Sequence, residues 1–365
     1  MKKLFPLCLS VLIGFTACDE DPEGMTSAPP AARKAIIGVE GIVPNGISSL
    51  GEYDIVNQTL NNNVYRKANL TTMGSGLSDL YADHEAGLLF AVMPASEKVA
   101  VCDLKTYELQ QVIEVTDQAR KIIRATPEKY YMTSWENNEV VVLGPNRFRV
   151  INRFEAGNKP DKMLLFEDLV FISNTGTFEI DSTITIVRAT ADTLIATLQV
   201  GVNPNGMAID YENNMLYVLC AGKENAQNPI QSGIGSLWKY NLDSMRTAID
   251  SGNTLQFDTV LYFNDNQLRP QHLVVDEEGG FLYYIDNFPT GNIMRMTTTA
   301  RRVSETPAIM GNFYQLGFDQ TEDELYGFNT PGSIDATGSV QIFTPGGALK
   351  VSHKIGSRPR EVEFK

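Results

Sequence analysis

An all-β fold built from repeated sheets is what this sequence predicts, and three observations predict it. A phrase returns along the chain: a small or kinked residue, two polar residues, an apolar run, then a turn and a second apolar strand. Its cleanest copy is Asn203-Pro204-Asn205-Gly206-Met207-Ala208-Ile209-Asp210, followed by Asn214-Met215-Leu216-Tyr217-Val218-Leu219. The next is Arg269-Pro270-Gln271-His272-Leu273-Val274-Val275-Asp276 with Gly280-Phe281-Leu282-Tyr283-Tyr284-Ile285-Asp286. Weaker copies start near Leu77, Ala119, Pro160 and Phe313, and Arg358 to Phe364 is half of one. Most copies lie roughly 41 to 45 residues apart, the spacing of one four-stranded propeller blade. Period-2 alternation dominates, and no stretch carries a helix-period stripe of helical length. The prediction is therefore a seven-bladed β-propeller, with six or eight blades as the alternatives because the first blade is the least regular.

Taken in order, the chain starts with the basic Met1-Lys2-Lys3, an apolar run from Leu4 to Phe15, and the small pair Thr16-Ala17 before Cys18. That order is a secretory signal over residues 1–17, too short to span a bilayer as a helix. Residues 18–33 read as an acidic, proline-rich linker, and 34–365 as a single propeller domain. Blades are expected at 77–117, 118–157, 158–201, 202–265, 266–309 and 310–356. Glu97 to Asp103, Asn138 to Leu143 and Ser236 to Asn241 read as third strands, and Thr106 to Val115 as a fourth. The seventh blade is composite. Arg358 to Phe364 would supply its innermost strand, with Ala35 to Val39, Ile47 to Tyr53 and Asn63 to Ala68 supplying the others. Pairing the N- and C-terminal strands in one blade would close the ring and leave no free sheet edge. Leu242 to Asn253 reads as a spacer or a protein contact, and its Asp243, Asp250 and Asn253 lack the spacing of a calcium loop.

Composition excludes several functions. The formal net charge is −14, and residues 1–17 carry Lys2 and Lys3 but no acid, so the remainder is more acidic still. Such a chain is a poor nucleic-acid binder, because neutralising phosphates needs clustered Lys and Arg. Beyond Cys18, Cys102 and Cys220 sit inside apolar strand patterns in different blades, as small buried hydrophobes do. No Cys-x-x-Cys or His-x-x-x-His occurs, which sets structural zinc aside.

In a propeller the first strand of each blade lines the central channel, so the two polar residues of each copy should ring its mouth. They are Ser78 and Asp79, Arg120 and Lys121, Asp161 and Lys162, Asn205 and Gly206, Gln271 and His272, Tyr314 and Gln315, and Arg360 and Glu361. Arg120, Lys121, Lys162 and Arg360 make that ring basic, which suits a phosphate, carboxylate or amide-rich ligand. The alternative is that they neutralise Asp79, Asp161 and Glu361 around a water-filled channel. Loops between second and third strands fall on the same face and carry Trp135, Phe178 and Phe288, either a platform for a flat ligand or caps on blade cores. The loop from Gly222 to Gly233 is long and polar, as functional or disordered loops are. The expected ligand-binding set is thus Arg120, Lys121, Lys162, Asn205, Gln271, His272, Tyr314 and Arg360, with Trp135, Phe178 and Phe288.

Catalysis is not expected. Of His84, His272 and His353, only His272 falls in the channel, and no nucleophile motif accompanies it. No metal and no cofactor are expected either. A hydrolase or lyase centred on His272 is the alternative.

The pattern Pro-x-x-apolar-Ala-x-Asp followed by Leu-Tyr-Val resembles the YVTN-type surface-layer propeller repeat, although the four letters survive only as Tyr217-Val218-Leu219-Cys220 and Tyr284-Ile285-Asp286-Asn287. Cys18 after Thr16-Ala17 resembles a bacterial lipobox, and Asp19-Glu20-Asp21 resembles the export tag of Bacteroidota-type surface lipoproteins. The opening Gly41 to Asp54 is similar to a related set of surface propeller lipoproteins, some of which capture cobalamin beside an outer-membrane transporter. The resemblance implies an outer-membrane, surface-exposed protein anchored only by lipid on Cys18. It would capture a small-molecule nutrient, a corrinoid first among them, on its loop face and deliver it to a TonB-dependent transporter. The competing reading is a scaffold or adhesion module whose faces bind protein, since propellers host both.

Overall fold

The computed structural model describes residues 33–41, 46–176, 180–222, 233–264, 268–276, 278–330 and 336–365. The leader, Cys18, almost all of the acidic linker, Phe178 and loop residues 223–232 lie outside the described residues.

The described chain is strand after strand. It opens with β1 (Lys34–Val39), β2 (Ser49–Asp54), β3 (Thr59–Asn62) and a short helix α1 (Val64–Asn69). Four antiparallel four-stranded sheets then follow in simple chain order. They are β4 (Asp79–Asp83), β5 (Leu88–Met93), β6 (Lys98–Asp103) and β7 (Leu109–Glu114); then β8 (Ala119–Thr126), β9 (Lys129–Ser134), β10 (Glu139–Leu143) and β11 (Val150–Glu155). Next come β12 (Pro160–Phe166), β13 (Leu169–Asn174), β14 (Thr183–Arg188) and β15 (Thr193–Gln199). The fourth is β16 (Pro204–Asp210), β17 (Met215–Cys220), β18 (Ser236–Asn241) and β19 (Thr259–Tyr262), with helix α2 (Leu242–Ser251) between its last two strands. β20 (Gln271–Val275), β21 (Phe281–Ile285), β22 (Gly291–Thr297), β23 (Pro307–Asp319), β24 (Glu324–Asn329), β25 (Thr337–Phe343) and β26 (Leu349–Ser357) form one seven-stranded sheet. Finally β27 (Pro359–Phe364) pairs antiparallel with β1, giving a fifth four-stranded sheet in the order β27-β1-β2-β3.

The recurring phrase has a physical basis at each end. Its closing aspartate ends the first strand and folds the next turn: Asp83 Oδ1 accepts from Ala86 N and Asp210 Oδ1 from Asn213 N, both at 2.9 Å. Asp276 Oδ1 does the same for Gly280 N at 2.8 Å, and Asp319 Oδ1 for Thr321 N at 2.9 Å. An aspartate there replaces a backbone turn bond and fixes where the strand reverses. The apolar run before that aspartate is buried on both faces, as in β16, whose Met207 to Ile209 are all buried, and so is the strand after the turn, Leu216 to Cys220 of β17.

The all-β propeller is thus present, with three corrections. Five separate four-stranded blades stand where seven were expected, because β23 does not break. Its thirteen residues pair with β22 through Pro307, Ile309 and Phe313 and with β24 from Phe313 to Asp319. The boundary read between residues 309 and 310 falls inside this strand, and Gly311 admits the Phe313 ring without a turn. Asn63 to Ala68 belong to the α1 helical turn, not to a strand; the fourth strand of that blade is the more polar β3. Leu242 to Ser251 form helix α2, where no stretch of helical period was expected. Asn241 caps it by accepting from Ser244 N, Gly252 ends it in the left-handed region, and Leu242 and Met245 bury its inner stripe.

The core is a set of apolar seams between neighbouring sheets rather than one mass. Phe171, Ile184 and Ile186 pack with Leu216, Val218 and Cys220 of the next blade. Tyr217, Leu219 and Leu237 meet Leu273, Leu282 and Tyr284 of the one after. Tyr326, Phe328 and Val340 meet Ala35, Ile37 and Tyr53, so the last and first segments share a seam. Burying such side chains is worth roughly 1.5–3 kcal/mol each. Cys102 and Cys220 are buried free thiols in these seams, as expected.

Candidate functional site

The polar residues of the recurring phrase coincide with β-bulges. Between Ala119↔Ser134 and Ile122↔Met132, the pair Arg120 and Lys121 faces one residue; between Pro160↔Asn174 and Met163↔Ile172, Asp161 and Lys162 do the same. Asn205, His272, Tyr314 and Arg360 are each the extra residue at a register shift of their own first strand. A bulge re-aims side chains that strict alternation would send to opposite faces. Its surplus amide also needs a partner. Thr133 Oγ1 accepts from Lys121 N and Ser173 Oγ from Lys162 N, each at 3.1 Å. His272 sits at φ 52, a left-handed backbone that costs a non-glycine residue roughly 1–2 kcal/mol.

These residues serve two cavities, not one mouth. The larger, about 580 Å³, is lined by Trp135, Asn205, Gln271, His272, Phe288, Tyr314 and Arg360 of the expected set, with Asp161, Thr175, Asn203, Arg269 and Gln315. The smaller, about 300 Å³, is lined by Asp79, Lys121, Lys162, Glu361 and Glu363 among apolar neighbours. Adjacent residues part company: Asp161 and Arg360 reach the larger cavity, Lys162 and Glu361 the smaller. The expectation that Lys121 and Lys162 ring the mouth is therefore corrected. Arg120 stands behind the wall of the larger cavity, its guanidinium 4.1 Å from the Trp135 ring centroid and its Nε 3.7 Å from Asp161 Oδ1.

In the larger cavity, Arg360 Nη1 donates to Glu40 Oε2 and to Tyr314 Oη, both at 3.0 Å, and Tyr314 Oη donates to Glu40 at 3.3 Å. Arg358 Nη1 lies 3.6 Å from the other Glu40 oxygen. Burial works against the Arg360 charge, but Tyr314, Glu40, Glu361 and Asp161 outweigh it and hold its pKa above the usual value. Burial lowers that of Arg120 against the pull of Asp161, although a guanidinium stays charged at any working pH. Gln271 is committed to structure, donating to Asn287 O at 2.9 Å and Pro289 O at 3.2 Å. Trp135 Nε1, Asn205 Oδ1 and Arg360 Nε are buried with no hydrogen-bond partner. Phe288 is 62% exposed at the rim.

His272 is held well below the ordinary histidine pKa by burial, then by Lys162, Arg360 and Lys121. It is neutral at pH 7, and the same cations make it a reluctant proton acceptor. In the smaller cavity, Lys121 Nζ donates to Glu361 at 2.6 Å, Asp79 at 2.9 Å and Ser78 O at 3.1 Å. Its amine is thus held by two carboxyl groups and a carbonyl.

Sequence reasoning missed Glu40, Asn203 and Arg269. Asn203 and Arg269 directly precede the proline of the two cleanest copies, so widening the phrase by one residue finds them. Glu40 lies outside any copy and carries no such signal. Among the described residues, no group of three or more His, Cys, Asp or Glu side chains is placed to hold a metal.

No family model matches the chain, and no curated protein matches it. Solved structures do. A quinonprotein alcohol dehydrogenase-like protein from Bacteroides thetaiotaomicron aligns with TM-score 0.66 at 13% identity, over 90% of this chain and 77% of that one. A provisionally assigned 6-phosphogluconolactonase from Bacteroides uniformis aligns with TM-score 0.66 at 10% identity, over 92% and 100%. Hydrazine synthase from Kuenenia stuttgartiensis aligns with TM-score 0.57 at 14% identity, over 73% and 76%. At such identities the likeness is one of fold. It still corrects the expectation that this chain is not an enzyme: propellers of this shape carry enzyme descriptions, so neither the fold nor the want of a nucleophile motif excludes turnover.

Proposed function

We propose that the 580 Å³ cavity captures a small molecule that offers an acceptor to Trp135 Nε1, a donor to Asn205 Oδ1, and negative charge to Arg360. The observation that carries this reading is those unsatisfied buried atoms on residues that line one cavity. A buried donor or acceptor left without a partner costs about 1–3 kcal/mol, which a fitting ligand recovers. The cavity volume lies within the usual small-molecule range. Trp135 and Phe288 add flat apolar area at the rim. Binding is also the first step of any turnover at this site.

A corrinoid, with its amides, one phosphate and broad ring, is the leading ligand in this proposal. It exceeds the cavity and would lie across the rim on Phe288 with its phosphate edge toward Arg360. We further propose that the protein is anchored through lipid on Cys18 at the outer-membrane surface and passes its ligand to a TonB-dependent transporter. In the same reading the ring is closed, with the seven-stranded sheet filling two blade positions. Its support is that the innermost strands touch in cyclic order, β27 meeting both β23 and β4.

The test is a thermal-shift screen of the purified protein against cyanocobalamin, haem, ferric siderophores and glycans. Ligand at a hundredfold excess over its Kd stabilises by about 2.7 kcal/mol. A shift with one ligand class that disappears in Trp135→Ala supports capture in this cavity. No shift with any of them leaves a protein-binding scaffold as the better reading.

A further inference from the structure

The smaller cavity holds a group that the binding site does not use. Lys162 lines it together with Lys121, Asp79, Glu361 and Glu363. The two lysines occupy equivalent bulges but are held differently. Lys121 is clamped by two carboxylates and a carbonyl, whereas no hydrogen bond or ion pair engages Lys162 Nζ among the described residues. Its backbone is nonetheless fixed, since Lys162 N donates to Ser173 Oγ at 3.1 Å. The side chain is thus delivered into about 300 Å³ of space with a free amine at its tip.

We propose that Lys162 is a carbonyl-capturing lysine, whose amine forms an imine with a small uncharged aldehyde entering this cavity. The Nζ lone pair attacks the carbonyl carbon, and one amine proton is relayed to the carbonyl oxygen, giving a carbinolamine. Loss of that hydroxyl together with the second amine proton, as water, leaves the C=N bond. No oxidant or reductant is consumed. Three carboxyl groups in the same cavity, Asp79, Glu361 and Glu363, can supply and recover the protons.

The electrostatics agree with the geometry. Burial, and then Lys121, push the Lys162 pKa down to about 8, against the pull of Glu361, Asp79 and Asp161. His272, from the neighbouring β20, is neutral and adds no charge. Burial, then Lys121 and Glu361 acting in opposite senses, leave Asp79 at about 7; burial, Asp79 and Glu361 push Glu363 to about 8. The coupled carboxyls therefore share protons near neutrality, Glu363 holding one more firmly than Asp79. At pH 7 an amine with the Lys162 value is free base on the order of two hundred times more often than an ordinary lysine.

The experiment is reductive trapping. The purified protein is treated with limiting propionaldehyde and cyanoborohydride at pH 7, and modified lysines are located and timed by peptide mass mapping. Lys162 is expected to react at least about tenfold faster than exposed Lys105 and Lys354. A parallel arm with cyanate, a small electrophile needing no dehydration step, reads access to the amine. Equal or slower labelling of Lys162 with aldehyde overturns the proposal, whether or not cyanate reaches it. Mapping is done on the unaltered protein, so it does not depend on a Lys162→Met variant folding. A cobalamin or glycan shift at the larger cavity is a separate readout that this result leaves untouched.

Discussion

Replacing Glu40 by glutamine isolates the charge that holds the larger cavity together. Glu40 accepts from Arg360 at 3.0 Å and from Tyr314 at 3.3 Å, and lies 3.6 Å from Arg358. The Glu40 and Arg360 side chains are only 12% and 20% exposed, so water screens the pair weakly. At that separation and an effective dielectric near 20, the attraction is about 5 kcal/mol. Glutamine keeps one accepting oxygen but no charge, and breaking a buried pair typically costs about 3–5 kcal/mol. Glu40→Gln should therefore lose about 3 kcal/mol, read as a fall in urea midpoint at unchanged slope. The same variant leaves Arg360 short of a counter-charge, so inorganic phosphate should raise its melting temperature more than that of the parent protein. A loss below about 1 kcal/mol together with an identical phosphate response would refute the assignment of Glu40 as the counter-ion of this site.

Two further outcomes follow from other parts of the molecule. Burial and the charges of Asp79 and Glu361 raise the Glu363 carboxyl to about 8, so its folded form holds a proton that the unfolded form has lost above about pH 4.3. Stability from this group is present below that unfolded value and is lost as pH rises through about 8. Glu363→Gln should remove a slope of at most about 1.4 kcal/mol per pH unit between pH 5 and 8, visible in urea unfolding across that range. Parallel pH curves for variant and parent would show that the carboxyl is not perturbed. Asn241→Ala removes the side-chain acceptor for Ser244 N at the start of α2 and should cost about 1 kcal/mol by the same assay. Asn241→Gly, which keeps a permissive cap, should cost only a few tenths.

How much of this was legible depended on whether a feature repeats. The phrase ending in Asp83, Asp210, Asp276 and Asp319 repeats because each first strand needs the same turn, and it located β4, β16, β20 and the later half of β23. The two polar letters repeat because the bulges do, and they found Arg120, Asn205, His272, Tyr314 and Arg360. Depth along the channel does not repeat. Adjacent bulge residues look alike as letters, so nothing told Asp161 of the larger cavity from Lys162 of the smaller. The continuity of β23 was hidden because blade spacing sets a boundary between residues 309 and 310, where the strand instead runs on and Gly311 makes room for Phe313. Helix α2 did carry a signal, Leu242, Met245 and Ile249 between Asn241 and Gly252, but one short stripe is easily lost among alternating strands.

The pairing of β27 with β1 has a consequence for how chain order matters. Lys34 N donates to Lys365 O and Lys365 N to Lys34 O, both at 2.8 Å, so two residues more than three hundred positions apart in the 365-residue chain sit side by side. During synthesis β1 must wait for β27 before its sheet is whole, and such a long-range partner slows folding. The contact between β1 and β27 also makes order dispensable once folding is complete. A short peptide joining Lys365 to Lys34, with new ends cut in the exposed turn at Glu85-Ala86, should give a circularly permuted protein that keeps both cavities.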